Sequence, residues 1–108
     1  MSDVVDPHRL AELRSIALHE AVARELVRNP EIVETGRRRV ASLHAEGKIA
    51  AFYRDAWLAV LDLPIERLVV AICEDSEQAR ALRQTTPFAG VVAPRERGRI
   101  WRAVRESA

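Results

Sequence analysis

The chain holds one cysteine, one lysine, four glycines and five aromatic residues in 108, and no apolar run of membrane-spanning length. Each shortage excludes something. Cys73 stands alone, so no internal disulfide can close, and its setting in Leu68-Val69-Val70-Ala71-Ile72-Cys73 reads as a buried structural thiol. A transmembrane helix needs about 18 or more consecutive apolar residues, which the chain does not offer. The start Met1-Ser2-Asp3-Val4-Val5-Asp6 has neither the basic residues nor the apolar stretch of a signal peptide. The expectation is a cytoplasmic protein without a membrane partner. Scarce glycine leaves no phosphate-cradling loop and no G-x-S-x-G elbow. His8, His19 and His44 are scattered, without metal-ligand spacing. His19 and Glu20 are adjacent, so on a helix they diverge by about 100° and cannot act as a pair. The sequence therefore supplies no catalytic residue, no metal site and no cofactor site, and it reads as a protein that is not an enzyme.

What is present is a globular balance. Apolar residues make up 48% and charged residues 31%, with a net charge of +1. That length supports one core and one domain, spanning residues 1–108 with 1–6 expected to be disordered. No global field attracts nucleic acid. Charge is uneven locally, however. Asp62, Glu66, Glu74, Asp75 and Glu77 face only Arg67 over residues 62–77, a net of −4. Arg95, Arg97, Arg99, Arg102 and Arg105 face Glu96 and Glu106 over residues 94–108, a net of +3. Solvated helix faces account for such runs, and so does steering of a partner. Sixteen arginines to one lysine match a GC-rich genome.

Proline punctuates the chain at helix starts, where its missing N–H costs nothing. Asp6-Pro7 opens a first helix over 7–28, with a broad apolar face that includes Leu18, Val22 and Leu26. Asn29-Pro30 opens a second over 30–46, with Asn29 as its cap and Gly47 as its stop. Gly36 lies on the apolar side of that helix and permits close approach of a neighbour. A third helix over 49–61 carries Phe52, Tyr53 and Trp57, three of the five aromatics, and is expected to be the central packing element. A fourth runs from Asp62-Leu63-Pro64 to Cys73; its branched residues also suit a buried strand, but a lone strand has no partner. Asp75 with Gln78 resembles a capping box opening a short fifth helix to Gln84. Pro94 opens the last, with Arg97, Ile100, Trp101 and Val104 on one face. The fold class is all-α, a compact bundle of five to six short helices.

Between the last two helices lies Leu82-Arg83-Gln84-Thr85-Thr86-Pro87-Phe88-Ala89-Gly90-Val91, which follows neither a helical nor a strand period. Irregular apolar chain of this length is functional or tied down by packing. Pro87 biases Thr86 to extended backbone, and Gly90 allows geometry closed to other residues. Phe88 then either anchors a partner or folds back with Val91 onto Trp101. The candidate partner-binding residues are Arg83, Gln84, Thr86, Phe88, Arg95, Arg99 and Arg102, a composition found at interface hot spots.

Ser15-Ile16-Ala17-Leu18-His19, Trp57-Leu58-Ala59-Val60-Leu61 and the stretch Asp75–Val91, with its L-R-Q-x-[ST]-P-F-A-G motif, resemble small helical antitoxin-like proteins of bacterial toxin–antitoxin operons. That resemblance covers nearly the whole chain. It implies a protein partner, a toxin encoded nearby such as a nucleotidyltransferase, neutralised by covering its active site. The uneven charge makes the basic last helix and the acidic 62–77 stretch the expected recognition surfaces. The chain departs from those members that carry a DNA-binding module. A small DNA-binding regulator is the alternative, through Arg37-Arg38-Arg39 and the C-terminal arginines. Its helices offer few Asn, Gln, Ser or Thr for base edges. A further alternative rests on Ser42-Leu43-His44-Ala45-Glu46-Gly47, which resembles the [S/T]-x-x-x-E-[G/N] motif of inhibitors of Fic-type AMP-transferases. That resemblance implies that Ser42, Glu46 and Gly47 form the inhibitory motif, with Glu46 pairing to an arginine of the enzyme. An ordinary helix C-terminus also explains Glu46-Gly47.

Overall fold

The computed structural model describes residues 6–107. The expected disorder of 1–6 thus falls on residues outside the described ones, except at Asp6. There the expectation is corrected, because the Asp6 carboxylate accepts from the His8 backbone N–H at 2.7 Å and caps the first helix. Six helices follow: α1 Pro7–Arg28, α2 Ile32–Ala45, α3 Ala51–Leu61, α4 Ile65–Cys73, α5 Glu77–Arg83 and α6 Pro94–Ser107. No strand occurs among the described residues, and α4, the one ambiguous segment, is helical. The fold is an all-α bundle. No described helix is long and apolar enough to cross a membrane.

Local chemistry sets the helix ends. Asn29 closes α1 rather than capping α2, its N–H bonded to Glu25 O, so α2 starts two residues later than the Asn-Pro signal implies. At the other end of α2, Lys48 N–H reaches Leu43 O at 2.8 Å and Gly47 N–H reaches His44 O at 3.0 Å. This 6→1 and 5→2 pair needs a left-handed residue, and Gly47 supplies it at φ 72°. The cap of α5 is Ser76, whose hydroxyl accepts from Ala79 N–H at 3.2 Å, and not Asp75. Asp75 is instead held by Arg9, with Arg9 Nη1 and Nη2 donating to its two oxygens at 3.1 and 2.9 Å. These bonds hold the Asp75 carboxyl below its ordinary range. Glu12 and Arg80 complete the cluster, which ties the start of α1 to the α4–α5 turn.

Val22, Leu26, Val40, Trp57, Leu61, Leu68, Ile72 and Phe88 make the core. α1 is its spine, packed on α4 along one side and α6 along another, while α2 pairs with α3. Only part of α3 is central: Trp57 is fully buried, but Phe52 is 73% exposed. Phe52 and Tyr53 form an edge-to-face pair at 5.2 Å beside an apolar groove of about 370 Å³ between α3 and α5.

Candidate functional site

The irregular segment after α5 is a packed corner. Phe88 is 1% exposed, and its ring meets Trp57 edge-on at 5.8 Å and 80°. Phe88 is core and not a partner contact, which corrects one candidate. Its aromatic partner is Trp57 on α3; Trp101 lies at the surface. Indole Nε1 of Trp57 donates to Leu82 O at 3.1 Å and to Thr85 Oγ1 at 3.0 Å, so the aromatic that buries Phe88 also fastens the chain leading to it.

Thr86 is likewise committed inward. Nδ1 of His19 lies 2.8 Å from Ser15 O, and a carbonyl only accepts, so Nδ1 carries the proton. Nε2 then accepts from the Thr86 hydroxyl at 2.8 Å, and Thr86 Oγ1 accepts from Phe88 N–H at 3.1 Å. Every donor finds an acceptor along this chain. Burial pushes the His19 imidazole from 6.5 down to about 4, with Arg83 adding repulsion, so the ring is neutral at pH 7. Thr86 therefore positions the corner, its hydroxyl committed to His19 and to Phe88 N–H. Gly90 is corrected too. It has no positive φ, and a Cβ there would meet nothing within 4 Å, so the corner does not depend on it.

Arg83 is 3% exposed, against the expectation of a surface contact. Its Nη1 donates to Ile72 O at 3.0 Å and Glu74 O at 2.8 Å, satisfying carbonyls at the end of α4. Gln84, one residue on, is exposed. The expected surface pair is thus split, one side chain serving the fold and the other facing water.

Arg95, Arg99 and Arg102 are exposed on α6, as expected. Arg99 is paired with Glu96. α6 has no buried residue and packs on α1 alone among the helices. Trp101, 41% exposed, has two guanidinium groups near its ring, with the Arg14 and Arg97 Cζ atoms 6.0 and 5.9 Å from its centroid. The Arg97 member follows from i,i+4 spacing on α6. Arg14 does not, because 87 positions separate it from Trp101 and only the α1–α6 packing brings them together. The acidic 62–77 stretch is partly neutralised within the fold: Arg37 pairs with Asp62 at 2.7 Å, and Arg9 holds Asp75.

Ser42 and Glu46 are exposed at the end of α2, where Glu46 approaches Lys48 at 3.5 Å. The left-handed turn at Gly47 accounts for the glycine. Cys73 is half-buried, its thiol pushed up to about 11 by burial, which keeps it protonated at pH 7. Among the described residues no three of His, Cys, Asp and Glu gather at metal-binding distance. Comparison of the chain with protein-family models, curated proteins and solved structures found no match.

Proposed function

We propose that this chain is a non-catalytic partner-binding module, the cytoplasmic antitoxin of a bacterial toxin–antitoxin pair, which recognises its toxin chiefly through α6. One observation carries the reading. A helix with no buried residue presents an indole close to Arg14 and Arg97, with Arg95, Arg99 and Arg102 exposed along it. Trp and Arg dominate interface hot spots, because each brings a large apolar surface together with directional donors. The partner surface it fits is acidic and contains an apolar pocket. Gln84, at the end of α5, adds a hydrogen-bonding group, while Phe88 and Thr86 act from within by fixing the corner between α5 and α6.

The test is co-expression with the products of the genes flanking this one. A flanking product that stops growth alone and is tolerated with this chain supports the proposal. Paired substitutions Trp101→Ala and Arg102→Glu then abolish rescue at an unchanged thermal midpoint. If no flanking product is toxic, or the variants rescue fully, the reading is wrong.

Arg95, Arg102 and Arg105 have no carboxylate partner among the described residues, which favours a second reading, contact with DNA phosphates. Such binding weakens steeply with salt. A mobility-shift midpoint unchanged between low and high salt excludes it.

A further inference from the structure

α6 alone among the six helices buries no residue, and it packs on α1 alone among the helices. Ala93, whose carbonyl accepts its first helical bond from Arg97 N–H, offers no capping side chain. The sequence of α6 also works against it. Gly98 lies in the helix interior, where glycine lowers the helix equilibrium about fivefold against alanine. Nothing in the packing asks for that glycine, because a Cβ there meets only Arg102 Nη1, at 3.7 Å. Gly36, by contrast, is bare because the Phe88 ring fills its place. Along α6 the pairs Arg95 and Arg99, Arg99 and Arg102, and Arg102 and Arg105 set like charges three or four positions apart. Among the described residues the ion pair of Arg99 with Glu96 is the one that answers them.

The seam with α1 is imperfect too. Arg14 and Arg97, whose guanidinium groups approach Trp101, each keep a buried Nε–H without a hydrogen-bond partner among the described residues. A buried donor left unmade is a cost of the closed state, and water removes it on opening. Against this stand the two arginine–indole contacts, the Arg97 bond to Ala89 O, and the half-buried Ile100 and Val104. The corner before α6 is fastened without it, by Phe88 on Trp57, Trp57 on Leu82 O, and His19 on Thr86. We propose that α6 is a hinged strap, which opens and closes as one unit beyond the buried Val92 while α1–α5 and the corner stay folded. Arg14 belongs to α1, so its approach to Trp101 exists only while α6 is closed. Opening therefore dismantles the arginine–indole surface and uncovers Arg14 and Leu18, which border one cavity with Trp101. The opening does not rest on the antitoxin reading, because it is measured on the chain alone.

The experiment is native-state amide hydrogen exchange of the full chain, read residue by residue by NMR. The α6 amides from Arg99 to Val104 are expected to share one protection factor, about 100-fold below that of Val22, Trp57 and Leu61. Two variants separate local opening from global unfolding. Val40→Ala, on α2 and out of contact with α6, shortens a buried side chain. It is expected to lower core protection about tenfold and leave that of α6 unchanged. Gly98→Ala, which the packing admits, is expected to raise α6 protection about fivefold. Four results overturn the proposal: α6 protected as well as the core, a parallel fall of both in Val40→Ala, no gain in Gly98→Ala, or protection that declines steadily toward Val104, which marks fraying from the end.

Discussion

The ring of Phe88 occupies the space where a side chain at Gly36 would stand: a Cβ built there lies 2.9 Å from Phe88 Cε1 and 3.1 Å from Cζ. The missing side chain on α2 is the notch that receives the corner after α5. Alanine is favoured over glycine in helices by about 1 kcal/mol, so propensity alone says Gly36→Ala stabilises. Sterics say the reverse, because the ring is wedged against Trp57 and Leu61 Cδ2 stands 3.3 Å from the same Cβ. The clash wins. Gly36→Ala is expected to lose about 1–3 kcal/mol, read as a lowered urea midpoint.

His19 makes stability depend on mildly acid pH. Its folded value of about 4 lies below the ordinary 6.5, so the unfolded chain binds a proton that the folded chain refuses. Stability is therefore full above pH 6.5 and falls as pH drops toward 4, by about 2 kcal/mol near pH 5. Asp75 acts in a lower window, since its folded value is depressed below the carboxylate range. Urea midpoints at pH 7.5 and pH 5 check this, and His19→Asn is expected to flatten the difference.

Arg83 and the arginines of α6 part company under substitution. Arg83→Ala strips the donor from Ile72 O and Glu74 O and empties a buried volume, an expected loss of about 2–4 kcal/mol. Arg95→Ala or Arg102→Ala changes stability by less than about 0.5 kcal/mol. Equal thermal midpoints for all three would contradict the assignment of Arg83 to the core.

At the end of α2 the two residues of the Glu-Gly pair have separable roles. Gly47→Ala strains a backbone held at φ 72° and is expected to cost about 1 kcal/mol. Glu46→Ala removes one exposed ion pair and leaves the midpoint nearly unchanged. If a Fic-type enzyme is inhibited by this chain through Ser42–Gly47, Glu46→Ala abolishes that inhibition without touching stability.

Helix spans were largely legible because their signals are local. Asp6-Pro7, Gly47, Pro64 and Pro94 mark ends by backbone chemistry that acts within a few residues. Asn29 and Asp75 misled for the same reason. Each suits a cap in isolation, but Asn29 closes the preceding helix and Asp75 is claimed by Arg9, 66 positions away.

By itself the sequence determined an all-α chain, a lone thiol, a core stripe through α1 and the exposed arginines of α6. All of these follow from periodicity, capping and the cost of burying charge. Tertiary structure alone decided which aromatic the corner residue meets, that Arg83 turns inward, and that Arg14 meets Trp101. Those outcomes depend on which helices pack together, and on a notch at Gly36 whose meaning exists only once Phe88 reaches it. A guanidinium is equally at home in water or on a helix-end carbonyl. Packing, and not residue type, chooses between them.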